Sequence, residues 1–173
     1  RVVAIKIPKT EVNAERAQRR FEREVAASAR LEHENAVRAY RRGFEGSRPY
    51  LVMEFVAGHK LSDVVRLEHP LAPRRVAAVI LGIARSLAHG ERRGVINRDV
   101  KPENIILGEQ DETPKLLDFG LALLPDTEDQ VTRYGSLLGT PNYMSPEQVR
   151  DPHGVTVAAD VYSLGCTAYF CLT

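Results

Sequence analysis

The sequence predicts an α+β fold in two lobes, because strand patterns fill its first third and helical patterns dominate the remainder. The strand patterns are short runs rich in apolar and β-branched residues, at positions 2–7, 37–44 and 50–56. The helical patterns are longer and show apolar residues three and four positions apart. We therefore expect residues 1–56 to form a small antiparallel sheet with one helix, and residues 57–173 to be mainly helical.

The first lobe is predicted from local signals. Asn13 is a suitable N-cap for a helix that continues to about Leu31. The Gly46-Ser47 pair favours a turn between the second and third strands. Gly58 ends the third strand pattern, and residues 56–60 are expected to form the hinge between the lobes.

The second lobe is predicted to contain three helices and two short strands. Pro73 fits the first turn of a long helix that continues to about Arg92, since proline is favoured at the first helical position. The other predicted elements are a helix at 62–67, strands at 105–107 and 115–117 around a turn, a loop-rich stretch at 118–146, and an apolar helix from about Thr156.

Composition excludes several function classes. A net charge of +1 on 173 residues gives no general attraction to nucleic acid or to anionic membranes. Cys166 and Cys171 are spaced so that they cannot easily bridge on one helix, which favours reduced thiols and a cytoplasmic location. The sequence shows no signal peptide and no transmembrane run. A membrane tether elsewhere in a longer protein stays open.

The segment Asn97-Arg-Asp-Val-Lys-Pro-Glu-Asn104 carries the strongest chemical signal. Asp99 can accept a proton or orient a hydroxyl, Lys101 can neutralise phosphate charge, and Asn104 can bind a divalent metal. Asp118, fourteen residues after Asn104, adds a second metal ligand before Phe-Gly. Two metal ligands around a base suit phosphoryl transfer, which depends on positioning and charge neutralisation. The simpler alternative is that these loop residues only form turns.

Two residues of the first lobe fit the same chemistry. Lys6 ends an apolar strand and could reach the α- and β-phosphates of a nucleotide. Glu24 follows eighteen residues later and could form an ion pair that holds Lys6 in place. Considered alone, Lys6 is equally explained as a charged residue that protects a sheet edge, and Glu24 as a surface glutamate.

These residues resemble the eukaryotic-type (Hanks-type) serine/threonine protein kinase family. The residue sequence of segment 139–148 is similar to that of bacterial members. The resemblance extends over nearly the whole chain and implies a partial protein-kinase-like bilobal fold. The further segments that carry it are 3–6, 21–24, 33–37, 50–56, 139–147 and 160–165. It implies ATP and Mg²⁺ as cofactors and serine or threonine residues of proteins as substrates, with no nucleic-acid partner.

The resemblance assigns roles to the nucleotide-binding and metal-binding residues. Met53 is similar to the gatekeeper, and the backbone of Glu54 and Val56 would hydrogen-bond to adenine. Asn104 and Asp118 would hold the metal ions. The Asp160 carboxylate would accept backbone N–H bonds from the catalytic loop.

The resemblance also implies regulation by phosphorylation. Arg98 would pair with a phosphate on the activation segment and order it. Thr132 is the favoured site, with Thr127 and Ser136 as alternatives. Thr140 together with Lys101 indicates serine or threonine substrates rather than tyrosine.

The sequence departs from the family pattern in two ways. Asn97 stands where relatives have histidine, and we expect this to weaken coupling to the Asp-Phe-Gly segment without abolishing chemistry. The glycine-rich loop before Lys6 and the helices after the Asp160 helix are not in the sequence. We therefore expect a fragment of a longer kinase, whose folding and activity in isolation stay open.

Two other functions were weighed against a protein kinase. The main alternative is a pseudokinase or signalling scaffold, suggested by Asn97. The retained Lys6, Glu24, Asp99 and Asp118 argue against it. The second is a phosphotransferase for small molecules, against which segment 139–147 argues because its family role is to dock peptides.

Overall fold

The computed structural model describes residues 2–7, 22, 25–26, 30–46, 48–117, 141–151 and 154–173. Several residues singled out from the sequence lie outside this part of the chain. They are Asn13, Glu24, Asp118, Thr127, Thr132, Ser136 and Thr140.

The first sheet is antiparallel, as predicted, and has the strand order β1-β3-β2. Its strands are β1 (Val3–Lys6), β2 (Ala39–Glu45) and β3 (Arg48–Glu54). The predicted bounds of β3 were wrong by two residues at each end. Glu45 pairs with Arg48 beside the turn, so the ladder includes polar residues that gave no strand signal. At the other end Glu54 pairs with Val3, the first residue of β1, so the ladder ends before the predicted Val56.

The helix predicted between β1 and β2 is described at three positions. Glu22, Val25 and Ala26 are helical. Arg30 lies in a turn and Leu31 is not helical, so the predicted end of the helix at Leu31 was wrong. Leu31 is buried within the hydrophobic cluster of the second lobe, where tertiary packing determines the course of the chain.

The second lobe contains four described helices and a second antiparallel sheet. The helices are α1 (Leu61–Glu68), α2 (Pro73–Glu91), α3 (Pro146–Arg150) and α4 (Val157–Leu172). The sheet has the order β4-β5-β6, from Gly58–Lys60, Ile105–Gly108 and Pro114–Leu116. Strand β4 was not predicted. It lies so close to β5 that a Cβ on Gly58 would overlap with the carbonyl oxygen of Leu107. Glycine at this position therefore permits the pairing.

Helix α2 is the centre of the core and confirms its predicted periodicity. Its buried face contacts α4 and β6. The apolar residues on that face are Val76, Val79, Ile83 and Leu87. Gly82 on the same face permits close contact, since a Cβ there would lie 2.6 Å from Cγ of Pro114.

The segment after the first helix is tied to β6 by Asn35, which is 4% exposed. Its Nδ2 donates to the Pro114 carbonyl at 2.9 Å, and its own carbonyl accepts from the N–H of Leu116 at 2.9 Å. The N–H of Val37 donates to the Leu116 carbonyl at 2.9 Å. These contacts fix β6 against the first lobe. They thereby also fix the position of residue 117, which follows β6 directly.

Helix α4 begins at the predicted position. Thr156 is its N-cap, since the Thr156 hydroxyl accepts from the N–H of Ala158 at 3.3 Å. Cys166 and Cys171 on this helix are free thiols, as predicted. Within the described ranges, no helix combines the length and the apolar character that a membrane span requires.

Candidate active site

The loop that connects α2 to β5 is held from below by the carboxylate of Asp160. The N–H of Asn97 donates to Oδ2 at 2.8 Å, and the N–H of Arg98 donates to Oδ1 at 2.7 Å. Asp160 is 2% exposed and lies in the first turn of α4. This is the contact that the family resemblance implied for Asp160, and it satisfies a buried charge with hydrogen bonds.

The charges beneath the loop influence each other. Burial raises the pKa of Asp160 to about 6, although the two backbone hydrogen bonds and the charge of Arg98 act in the opposite direction. Burial also lowers the pKa of the Arg98 guanidinium, and Asp160 opposes that change. Arg98 Nη2 donates to the carbonyl of Val155 at 3.4 Å.

Arg98 has an unusual backbone conformation. Its φ of 67° lies in the left-handed region that residues other than glycine seldom adopt. Its carbonyl accepts a hydrogen bond from Nε2 of Gln148 at 3.0 Å. Hydrogen bonds on both sides of this residue hold the turn that presents Asp99.

The three residues predicted to be catalytic meet in one cluster. Lys101 Nζ donates to Asp99 Oδ1 at 2.9 Å and to Oδ2 at 2.8 Å. Asn104 Nδ2 donates to Asp99 Oδ2 at 2.9 Å and to the Asp99 carbonyl at 2.9 Å. The side chains of Asp99 and Lys101 are 19% and 17% exposed, so the cluster is largely shielded from solvent. Such a shielded carboxylate with a cation beside it can orient a hydroxyl and compensate charge.

Asn97 supports this cluster from within the core. It is fully buried, and its Oδ1 accepts from the N–H of Asp99 at 3.0 Å. Asparagine at this position therefore binds the backbone. Its side chain contributes directly to the position of Asp99.

Of the two residues predicted to hold a metal ion, the structure describes Asn104. Because Asn104 Nδ2 faces Asp99, its Oδ1 projects from the opposite side of the amide. The N–H of Leu117 donates to the Asn104 carbonyl at 2.8 Å, so the residue before Asp118 lies beside Asn104. An amide oxygen and a carboxylate are ligands that Mg²⁺ accepts. The pairing of Asn104 with Asp118 as metal ligands stays a prediction, because Asp118 lies outside the described residues.

The residues predicted to contact the nucleotide lie on the first sheet and just after it. Lys6 on β1 is half-buried and pairs with Leu51 of β3. Met53 on β3 and Val56 after it are also half-buried. The N–H of Glu54 donates to the Arg38 carbonyl at 2.9 Å. A contact from Glu54 to adenine would need its carbonyl.

The side chain of Glu54 has a structural role that sequence reasoning missed. Its Oε1 lies 2.9 Å from Nζ of Lys115 on β6, and its Oε2 accepts from the N–H of Arg38 at 3.2 Å. The two charged side chains are 26% and 21% exposed. This ion pair joins the end of β3 to the strand that leads to Asp118. No local pattern points to it, because the partners are far apart in the sequence.

Gln148 was also missed, although it had a sequence signal. Ser145 and Gln148 have the spacing of a capping box, with serine before the helix and glutamine three residues later. The pattern predicts the start of α3, but it does not predict that Nε2 of Gln148 reaches Arg98.

Comparison with known proteins agrees with the geometry of this loop. A profile described as "Protein kinase domain" matches residues 1–173. The chain is 43% identical over 161 residues to serine/threonine-protein kinase PknB of Mycolicibacterium smegmatis, covering 89% of this chain and 25% of the relative. It is 40% identical over 159 residues to PknB of Mycobacterium tuberculosis, with the same coverage. Serine/threonine-protein kinase pkn3 of Myxococcus xanthus is 36% identical over 181 residues, covering 100% of this chain and 33% of the relative.

These relatives are much longer proteins, and the chain spans a quarter to a third of their length. The match nevertheless includes every segment on which the resemblance was based. The chain belongs to the protein kinase domain family.

Proposed function

We propose that the chain is the catalytic domain of a protein serine/threonine kinase, which transfers the γ-phosphoryl group of ATP to hydroxyl groups of proteins. The observation that carries this proposal is the cluster in which Lys101 and Asn104 both bind the Asp99 carboxylate. The names of the bacterial relatives support the serine/threonine class.

The two oxygens of Asp99 have different surroundings, and this difference supports one of them as the base. Oδ2 accepts from both Lys101 and Asn104, whereas Oδ1 accepts from Lys101. Oδ1 is therefore the oxygen that would orient the substrate hydroxyl and accept its proton. Lys101 would then turn its ammonium group toward the transferring phosphoryl group and stabilise its charge.

Asn104 and Asp118 would hold magnesium, which supplies positive charge to the phosphate oxygens. Lys6, held by Glu24, would bind the α- and β-phosphates. Met53 would border the adenine, and the backbone of Val56 and the Glu54 carbonyl would hydrogen-bond to it. The cytoplasm supplies ATP, and we propose it as the location of this domain.

Regulation through the activation segment is part of the proposal. Arg98 would bind a phosphate on Thr132, and Thr140 would contribute to the choice of a serine or threonine substrate. Mass spectrometry of the active protein after incubation with ATP tests this. Phosphate found exclusively at other residues would exclude Thr132.

The proposed activity is tested by transfer of labelled phosphate to a protein substrate. Asp99→Asn should lower kcat by about 10²- to 10⁴-fold, the usual contribution of general base catalysis, and Asp118→Ala should also abolish most transfer. Asp63→Asn on α1, a half-exposed residue paired with Arg66, is the matched control and should leave kcat unchanged. Nucleotide binding without any transfer would indicate a scaffold, and transfer to small molecules alone would indicate the other phosphotransferase class.

A further inference from the structure

We propose that Gln148 is a positioning residue for the proposed phosphoryl transfer, because its side chain links the start of α3 to the peptide that precedes Asp99. The inference rests on the proposed function for its kinetic consequences. Its structural part stands on the contacts of Gln148 alone.

Both ends of the Gln148 amide are used. Oε1 accepts from the N–H of Ser145 at 3.1 Å, while the N–H of Gln148 donates to Ser145 Oγ at 3.3 Å. This is the reciprocal capping box that begins α3. Nε2 then donates to the Arg98 carbonyl at 3.0 Å, across 50 residues of sequence.

The Arg98 carbonyl belongs to the same peptide unit as the N–H of Asp99. That N–H donates to Asn97 Oδ1 at 3.0 Å. The peptide unit is therefore held on one side by Gln148 and on the other by Asn97, which limits its rotation. Because Asp99 follows directly, rotation of this unit would move the carboxylate relative to Lys101 and Asn104.

The residue type separates this role from helix capping. A glutamate forms a capping box as well as a glutamine does, since the box requires only an acceptor. A glutamate carboxylate at pH 7 has no N–H, and so it cannot donate to the Arg98 carbonyl. If Gln148 served only α3, glutamate would be an equivalent residue.

The test compares Gln148→Glu and Gln148→Ala in the full-length protein, with Val149→Ala as the control. Val149 lies on the same helix and is 60% exposed. Both Gln148 variants should lower kcat about tenfold, which corresponds to about 1.4 kcal/mol. The KM for ATP should stay within about twofold, since the contact touches only the catalytic loop. Gln148→Ala should lower the melting temperature more than Gln148→Glu, because it loses the cap as well as the bond to Arg98.

Hydrogen exchange gives a readout that does not depend on activity. Backbone amides of residues 97–100 should exchange faster in both Gln148 variants and at the wild-type rate in Val149→Ala. If Gln148→Glu matches the wild type in kcat and in exchange, the residue is only a cap and the proposal is wrong. If the wild-type protein transfers no phosphate, the proposed function fails, and the exchange rates alone decide whether Gln148 positions the loop.

Discussion

Replacing Asp160 by alanine removes the two acceptors beneath the catalytic loop. The N–H groups of Asn97 and Arg98 lose oxygens at 2.8 and 2.7 Å. A buried donor without a partner costs about 1–3 kcal/mol, so the two together cost roughly 2–6 kcal/mol. The substitution also removes a carboxylate whose burial in the charged form is unfavourable. This offsets part of the lost stability at pH 7. We expect the free energy of unfolding to fall by about 3 kcal/mol, which is comparable to the cost of breaking other buried charged contacts.

The pH dependence of this loss follows from the raised pKa of Asp160. Burial raises it from 3.8 to about 6, so between these values the folded protein binds more protons than the unfolded chain. The contribution of Asp160 to stability is therefore complete below about pH 4 and decreases as the pH rises through about 6. The stability difference between wild type and Asp160→Ala should shrink by roughly 2 kcal/mol from pH 4.5 to pH 7.

Urea denaturation at both pH values measures this difference, and a thermal scan provides a second measurement. For a domain of this size, about 3 kcal/mol corresponds to about 6–12 °C in Tm. Asp63→Ala serves as the control because the Asp63 side chain is 48% exposed and pairs with Arg66 in its own helix. A stability difference that widens with rising pH would refute the reasoning, because it would mean that the hydrogen bonds and Arg98 outweigh burial. A Tm within 2 °C of wild type would refute the structural role itself.

Substitutions at three further positions test the surroundings of the site and the packing of the core. Asn97→His should raise kcat modestly, since Nδ1 of a neutral imidazole can accept the Asp99 N–H while the ring fills more volume. Asn97→Leu lacks the acceptor and should lower kcat about tenfold. Unchanged or lower activity in Asn97→His would contradict the predicted rise in kcat. Gly82→Ala should destabilise the protein by about 1–3 kcal/mol, because its Cβ would lie 2.6 Å from Pro114 Cγ and 3.0 Å from Asn35 Nδ2. Gly165→Ala meets nothing within 4 Å and should stabilise α4 by about 1 kcal/mol in the same urea titration; equal effects of the two substitutions would argue against the packing at Gly82.

The catalytic cluster could be predicted from the sequence because its geometry is local. Asp99, Lys101 and Asn104 lie within six residues, and the 3-10 turn at Pro102–Asn104 brings the last of them back to the first. The bounds of α2 were equally predictable, since Pro73 marks its first turn and its apolar face repeats at helical spacing. In both cases the residues that determine the structure are close neighbours along the chain.

The remaining features depend on partners that are distant in sequence. Strand β4 has only three residues and forms because Gly58 allows close pairing with β5, about fifty positions later. The ion pair between Glu54 and Lys115 has the same character. A local pattern can indicate the residue type, as the capping box does for Gln148, but it cannot identify a tertiary acceptor such as the Arg98 carbonyl.

The backbone of Arg98 shows why the distant contacts matter for the local motif. Its left-handed conformation costs about 1–2 kcal/mol for a residue with a Cβ. A single hydrogen bond contributes only about 0.5–1.5 kcal/mol, so one contact would not reliably maintain this conformation. Asp160 binds the peptide before Arg98, while Gln148 and Asn97 bind the peptide after it. Together these three bonds contribute roughly 1.5–4.5 kcal/mol, and the middle of that range, about 3 kcal/mol, exceeds the strain. The sequence motif therefore provides the chemical groups, whereas α3 and α4 provide the contacts that hold Asp99 in the orientation its chemistry requires.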